Sequence, residues 1–245
     1  MHGLLVAIGF LTRIPVPARV FDIPGAQARS LPWYPLVGVL IGALLCALGW
    51  LLRDAPPLLG AALLLATWVG LTGALHLDGL ADSADAWIGG LGGTDNERRA
   101  RTLEIMKDPR SGPAAIVVLE LLLLLKFAAL ASLPMPAWPA LLLAPMLARA
   151  GLTALFLTTP YVRADGIGAA LRAAPRAACI VAVVLALAVA LANGWRGALA
   201  VAAALAVWLA WRHASQRRIG GFTGDTAGAA CEMIETSVLV VLALA

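Results

Sequence analysis

Residues Pro32 to Leu52 read PWYPLVGVLIGALLCALGWLL, and this apolar run decides the class of fold. Its 21 residues include no Asp, Glu, Lys or Arg, and about 20 apolar residues are enough for one helix to cross the hydrocarbon core of a bilayer. Gly38 and Gly42 lie four residues apart and would let a second helix pack closely on this one. The run therefore predicts a transmembrane helix.

Further apolar runs follow it along the chain, at about residues 58–75, 112–133, 137–158, 177–192, 197–211 and 227–245. The 245 residues are 61% hydrophobic and 13% charged, a composition that excludes an ordinary soluble protein. The N-terminal run GLLVAIGFL is too short to span and has no signal-peptide flanks, which predicts a re-entrant or interfacial helix. We predict an all-α, polytopic integral membrane helical bundle with about seven transmembrane helices, and a single domain over residues 1–245.

The lysines and arginines between these runs predict the topology. If the loops alternate, fourteen of these cations fall on one side of the membrane and two on the other. Because cytoplasmic loops carry the excess, the N-terminus is predicted to face the cytoplasm of a bacterial inner membrane. The net charge of +4 is explained in this way, and the absence of a basic stripe with interleaved aromatic residues argues against a nucleic-acid partner. Three isolated cysteines are predicted to be packing residues: Cys46, Cys179 and Cys231.

The longest polar segment, residues 76–111, lies on the predicted cytoplasmic side and opens with HLDGLADSADAW. On a helix, Asp78, Asp82 and Asp85 fall within about 60° of arc. Three carboxylates so close repel one another, a divalent cation would relieve the repulsion, and hard oxygen ligands suit Mg²⁺. We predict that the three aspartates are metal ligands and catalytic residues; the alternative is a solvated charged face. A short helix at Asp95–Met106, capped by Thr94 or Asp95, is predicted downstream.

Two more polar segments are predicted on the same side. IMKDPRSG, residues 105–112, supplies Lys107, Asp108 and Arg110 beside a Gly-Pro helix start, where free amides favour a phosphate; the alternative is ordinary positive charge at a membrane boundary. GGFTGDTAG, residues 220–228, could approach a phosphate or ligate a metal, or could simply be a capped turn. The residues that this loop contributes to the predicted site are Gly221, Thr223 and Asp225. His76 is predicted to contact substrate, with a structural role as the alternative.

Charged residues also occur inside the predicted spans, where they must face protein or water. Antiparallel pairing of the third and fourth spans would place Glu120 level with Arg149, and we predict that the two form an ion pair. With Glu232, they would line a cavity open to the cytoplasm. The sequence assigns no partner to Lys126.

Membrane carboxylates beside basic phosphate-binding groups point to phosphoryl-group transfer. A transporter with carboxylate cation sites is the rival from another class. Transporter sites usually lie at broken helices near the bilayer midplane, whereas this acidic cluster is predicted at the membrane face. That position favours the enzyme.

The ordered motifs HLDGLADSADAW, IMKDPRSG and GGFTGD resemble the cobalamin 5'-phosphate synthase family, also called adenosylcobinamide-GDP ribazoletransferases. FLTRIPVP, which contains Arg13, and PLVGVLIG in the first span are also similar to that family, so Arg13 is included among the substrate-binding residues. The resemblance implies that a hydroxyl of α-ribazole or its 5'-phosphate attacks the diphosphate of adenosylcobinamide-GDP, that GMP leaves, and that Mg²⁺ is required. It implies metal binding by Asp78, Asp82 and Asp85, with Asp225 as a further ligand, and places Lys107, Asp108 and Arg110 near phosphate or metal.

A CDP-alcohol phosphotransferase is a second possibility within the same chemistry. Its acidic motif has Ala-Arg after the first Asp-Gly pair, whereas Leu80 and Ala81 follow Gly79 here. This difference counts against that family. Besides the two substrates and the lipid bilayer, other cobalamin-assembly enzymes and a second copy of the chain are predicted as partners.

Overall fold

The computed structural model describes residues 2–134, 137–163 and 167–245. The α-helices in these ranges are α1 (His2–Leu11), α2 (Tyr34–Leu51), α3 (Pro57–Thr72), α4 (Leu75–Gly89), α5 (Asp95–Ile105), α6 (Pro113–Ser132), α7 (Trp138–Thr158), α8 (Arg176–Leu191), α9 (Gly194–Ile219) and α10 (Gly224–Ala243). Short 3₁₀ segments cover Ala18–Val20, Ala28–Trp33 and Ile167–Ala173. The prediction of an all-α membrane protein is confirmed.

Within the described ranges, five helical segments are long and apolar enough to cross a membrane: Ala28–Leu51, which includes α2, and α6, α7, α9 and α10. Two further apolar helices, α3 and α8, have 16 residues each, which is short for a perpendicular crossing. The polytopic architecture agrees with the sequence, whereas the number of about seven crossings stays a prediction.

The close packing predicted for the glycines of the first span is confirmed. A Cβ built on Gly38 would lie 2.3 Å from the Pro145 carbonyl oxygen, and one on Gly42 would lie 2.7 Å from the Leu141 carbonyl oxygen. Because no side chain separates them, the backbones of α2 and α7 are in contact at these two positions. This helix pair forms the centre of the apolar core, and all three cysteines are buried and free, as predicted.

Helix α9 is longer than predicted. The predicted span ends at residue 211, but the helix continues to Ile219 and includes Arg212 and Arg218, which lie beyond that span. Arg218 donates to the Trp87 carbonyl at 2.9 Å and to the Thr102 hydroxyl at 2.9 Å, which ties α9 to α4 and α5. Cations are favoured at a helix C-terminus. The last turns of α9 are therefore polar, and a span predicted from hydropathy ends before the helix does.

The ion pair predicted between Glu120 and Arg149 is wrong. Arg149 is bound to Glu235 of α10, and Glu120 lies on the exposed face of α6. The prediction assumed that consecutive spans are neighbours, but α6 packs mainly on α4, α3 and α10, whereas α7 packs mainly on α2 and α10. Glu232 also differs from expectation, because it is buried against Lys126 and does not line an open cavity.

Helix α4, which carries the aspartates, is confirmed as a helix and turns 87° away from α3. The corner is made by Gly73 and Ala74, both in the left-handed region with φ of 60° and 57°. The backbone amide of Arg13 donates to the Leu71 carbonyl at 2.7 Å beside it. After the turn, α4 lies across the N-terminal ends of α6 and α10, and it is not among the five segments that are long enough to cross by themselves.

Candidate functional site

The site is built where α4 crosses the start of α10. A Cβ on Gly79 would lie 2.8 Å from the Asp225 carbonyl oxygen, and one on Gly228 would lie 3.2 Å from the His76 carbonyl oxygen. Because both crossing positions are glycine, the two helix backbones touch. This contact brings Asp78 of α4 and Asp225 of α10 into the lining of one cavity.

Replacing Gly79 by alanine tests this crossing. We expect Gly79→Ala to lower stability by about 1–3 kcal/mol, the usual cost of overpacking, and to lower activity, since α4 and α10 must separate. The matched control is Gly70→Ala, because a Cβ at Gly70 meets no atom within 4 Å. Thermal unfolding in detergent measures the first effect and turnover the second. Equal behaviour of the two variants would contradict the close crossing.

The cavity has a volume of about 370 Å³ and combines an apolar body with a polar end. Aromatic and aliphatic side chains form most of its wall, including Phe10, Tyr34, Leu152, Phe156 and Leu171. The polar end carries His76, Asp78, Arg163 and Asp225. An apolar cavity with a few converging polar groups is typical of a small-molecule site.

Arg163 is a site residue that sequence analysis did not single out. Its guanidinium forms an ion pair with Asp225 at 2.9 Å and donates weakly to the Met106 carbonyl at 3.4 Å. The signal that could have found it is its place among the cations predicted on the aspartate side, but a cation count does not show which one approaches a carboxylate. Its charge balances one carboxylate at the polar end of the cavity.

The segment before α10 is held by backbone pairing with the residues that precede Arg163. Phe222 donates to the Pro160 carbonyl at 2.9 Å and accepts from the Val162 amide at 3.0 Å. Gly221 is required here, because a Cβ would lie 2.2 Å from the Pro160 carbonyl oxygen. The glycine predicted to approach substrate therefore approaches the chain itself, and its substrate contact stays a prediction.

Thr223 caps α10. Its hydroxyl accepts from the Thr226 amide at 3.2 Å, and the Thr226 hydroxyl accepts from the Thr223 amide at 2.8 Å. The reciprocal cap fixes the first turn of α10, and the Thr223 hydroxyl also lies 3.3 Å from Asp225 Oδ2. Thr223 therefore orients Asp225; its predicted contact with substrate stays a prediction.

Asp85 lies at the other end of α4 and caps α6. Its Oδ2 accepts from the Gly112 amide at 2.5 Å and its Oδ1 from the Ala115 amide at 3.0 Å. These amides belong to the helix start that the sequence predicted as a phosphate cradle, so a carboxylate of the chain takes the position expected for an anion. The predicted catalytic and metal-binding roles of Asp85 stay predictions.

Substitutions at Asp85 separate its capping role from its charge. We expect Asp85→Ala to destabilise the protein by about 0.5–2 kcal/mol. Asp85→Asn should cost less, because its one carbonyl oxygen can still accept from one of the two amides. Unfolding curves of the two variants in the same detergent measure the difference. Equal losses in both variants would show that the cap does not stabilise α6.

Asp82 lies between these two ends of α4. Burial, together with the neighbouring charges of Asp78 and Asp225, raises the pKa of Asp82 to about 6, while Arg163 acts in the opposite direction. The α4 carboxylates thus form an acidic cluster with little compensating positive charge. Carboxylate oxygens in such a cluster suit a hard divalent cation.

A complete protein cage for a metal is not formed in the described part of the chain. No three His, Cys, Asp or Glu side chains there lie close enough together to hold an ion. Mg²⁺ is usually bound by only one or two carboxylates, with waters and substrate phosphates completing its shell. One or two of the carboxylates of Asp78, Asp82 and Asp225 would fit that mode of binding.

The predicted phosphate-binding residues of the α5–α6 connection lie outside the cavity. Arg110 donates from Nε and Nη2 to Asp108 at 2.9 and 2.8 Å, and these hydrogen bonds lower the pKa of Asp108 to about 2. Lys107 is exposed. The structure thus places this group on the surface beside the site, and its contact with phosphate stays a prediction.

His76 and Arg13, the two remaining predicted site residues, lie in different places. His76 is buried, with 4% of its surface exposed, lines the cavity, and has Nδ1 3.5 Å from Arg149 Nη2. Arg13 is exposed, and its side chain lies against Gly73 at the corner between α3 and α4. The structure therefore brings His76, but not Arg13, into the cavity wall.

Comparison with known proteins gives one consistent family. A family model described as cobalamin-5-phosphate synthase matches residues 3–243. A relative from Stutzerimonas stutzeri (strain A1501), named adenosylcobinamide-GDP ribazoletransferase, is 55% identical over 100% of this chain and 98% of its own. Relatives of the same name from Pseudomonas paraeruginosa (strain DSM 24068 / PA7) and Pseudomonas fluorescens (strain Pf0-1) are 53% and 52% identical, each over 100% of this chain and over 98% and 100% of their own.

No solved structure matches the chain. The family match covers all three polar segments that meet around α4: the aspartate helix, the α5–α6 connection and the start of α10. The helical membrane fold described above is the one that the apolar runs of the sequence predicted. The chain belongs to the cobalamin-5-phosphate synthase family.

Proposed function

We propose that this enzyme transfers the adenosylcobinamide phosphate group from adenosylcobinamide-GDP to a hydroxyl of α-ribazole or its 5'-phosphate, with release of GMP. The observation that carries the proposal is the polar end of the apolar cavity, where Asp78, Asp225 and Arg163 come together. The name shared by relatives over the whole chain supports the choice of substrates.

The carboxylates at the α4–α10 crossing would hold Mg²⁺. Asp78, Asp82 and Asp225 are the candidates. They belong to one acidic cluster, because the charges of Asp78 and Asp225 raise the pKa of Asp82. When bound, the ion neutralises charge on the diphosphate and on the departing GMP. Arg163 beside Asp225 offers a fixed positive charge to the same phosphates.

The apolar body of the cavity suits the ring system of the ribazole. Phe10, Tyr34 and Phe156 offer aromatic faces to a flat apolar base. The attacking hydroxyl would then lie at the polar end, and an aspartate not engaged by the cation would accept its proton. Asp78 lines the cavity and is our choice for that role, which leaves Asp82 and Asp225 for the cation.

We further propose that this site opens to the cytoplasm at the bacterial inner membrane. The distribution of lysine and arginine supports that orientation, since the segments around α4, α5 and the start of α10 lie on the cation-rich side. The large nucleotide-linked substrate could approach α4 from water, while the apolar cavity extends toward the helices.

The direct test offers purified protein and Mg²⁺ with adenosylcobinamide-GDP and either α-ribazole or its 5'-phosphate. We expect acceptor-dependent release of GMP and formation of a corrinoid phosphodiester. A CDP-alcohol with a lipid acceptor is the control for the related chemistry, and solute uptake into proteoliposomes is the control for transport. Activity in either control, without GMP release, would overturn the proposal.

A further inference from the structure

A closed group of charged side chains lies beneath the cavity and has no part in the chemistry proposed above. Lys126 Nζ donates to Glu232 Oε2 and to Glu235 Oε2, both at 2.6 Å, and Arg149 is bound to the other oxygen of Glu235. These four side chains are 0–4% exposed. Two cations and two carboxylates therefore neutralise each other in the middle of the bundle.

His76 connects this group to the cavity. Its Nδ1 lies 3.5 Å from Arg149 Nη2. A guanidinium has only donors, so a hydrogen bond between these two atoms requires the lone pair on Nδ1 and the ring proton on Nε2. Such a bond would let Arg149 select one of the two tautomers of His76.

The other ring nitrogen is available to a ligand. Nε2 of His76 makes no hydrogen bond to a described residue and is not among the fully enclosed polar atoms that lack a partner. Since His76 lines the cavity, Nε2 would offer an N–H donor to a ligand bound there. A donor fixed in a water-poor cavity suits an anionic oxygen.

We infer that Arg149 and Glu235 are positioning residues, which orient His76 so that its Nε2–H donates to a phosphate oxygen of the substrate. Glu235 fixes Arg149, Arg149 fixes the ring, and Lys126 with Glu232 balances the charge. The inference rests on the proposed function for the identity of the anion, whereas the orientation of the ring stands without it.

Nuclear magnetic resonance of the imidazole nitrogens tests the orientation directly. The chain has three histidines, and the other two, His2 and His213, are exposed. With ¹⁵N-histidine labelling in detergent near pH 8, and assignment by His213→Asn and His76→Gln, we expect His76 to show a single Nε2–H tautomer. The exposed rings should average both forms. An Nδ1–H tautomer, or averaging at His76, would overturn the inference.

Variants test the link to Arg149 and to substrate. Arg149→Lys keeps the charge but shortens its reach, so in folded protein His76 should begin to sample both tautomers; an unchanged spectrum would overturn the positioning role. His76→Leu should lower turnover by about 10- to 100-fold, since hydrogen bonds to charged groups contribute roughly 1.5–3 kcal/mol. His76→Gln, which keeps a donor, should retain more activity, and equal loss in the two would contradict the donor role.

Failure of the positioning role and failure of the proposed function give different experimental results. If Arg149→Lys does not fold, the wild-type spectrum and the paired His76 variants still decide. If wild-type protein releases no GMP from adenosylcobinamide-GDP, the proposed function fails, while the tautomer of His76 is still measured.

Discussion

Asp82→Asn is expected to lower turnover by about 10³-fold or more while the protein still folds. The substitution removes a charge that we propose to bind Mg²⁺, and metal-ion stabilisation of the transition state is worth several kcal/mol, with each 1.4 kcal/mol equal to about tenfold in rate. Folding should survive, because asparagine has the same shape and the loss of one charge relieves repulsion with Asp78 and Asp225. GMP release measures activity, and elution as a single detergent-solubilised species checks folding.

The matched control for this variant is Asp54→Asn. Asp54 is 85% exposed and contacts Arg53 in the connection between α2 and α3, away from the aspartate helix. It should retain wild-type turnover. Full activity in Asp82→Asn would refute a metal-binding role for Asp82.

Lys126→Met is expected to destabilise the protein by about 3–5 kcal/mol, the usual cost of removing one partner from a buried ion pair. Lys126 is the counter-ion of both Glu232 and Glu235 and lies 4.9 Å from the centre of the Trp68 ring. Its loss leaves two buried carboxylates with Arg149 alone. Unfolding by heat or by SDS titration in detergent micelles measures the effect.

Two further variants control that result. Removing one charge of each sign in Lys126→Met/Glu232→Gln should recover part of the lost stability. Arg53→Met, which breaks an exposed ion pair, should change stability by no more than about 0.5 kcal/mol. A double variant no more stable than Lys126→Met would argue that the four charges do not act as one group.

Local features of the fold were predictable from the sequence. The α5 helix begins where Thr94 and Glu97 form a capping box, as its residues predicted. The aspartate spacing predicted α4, and the Gly38 and Gly42 pair predicted a close helix contact. Each of these depends on residues within about two helical turns of one another, which is the range over which such sequence patterns act.

Helix neighbours were not predictable in the same way. Arg149 finds its partner 86 residues away in Glu235, because α7 packs on α10 and not on α6. Hydropathy shows which segments are buried in the membrane but not their order around the bundle. The charge of Lys126 could be explained only after α6 and α10 were placed side by side.

The candidate site shows the same difference between local features and contacts between distant segments. Asp78, Asp225 and His76 were selected from the sequence, and the structure brings them to one cavity. Arg163 was missed because its role depends on the backbone pairing of residues 160–162 with 221–222. Lys107 and Arg110 have the chemistry of phosphate binding, but the structure leaves them on the surface beside the cavity.

In the proposed reaction, the carboxylates at the α4–α10 crossing bind a divalent cation together with the substrate's diphosphate. Electron paramagnetic resonance of Mn²⁺, used in place of Mg²⁺, measures this binding in purified protein with adenosylcobinamide-GDP and no acceptor. We expect wild-type protein and Asp54→Asn to bind Mn²⁺ more tightly with the nucleotide than without it, and Asp82→Asn to lose that gain. Equal Mn²⁺ binding by wild-type protein and Asp82→Asn would contradict the claim.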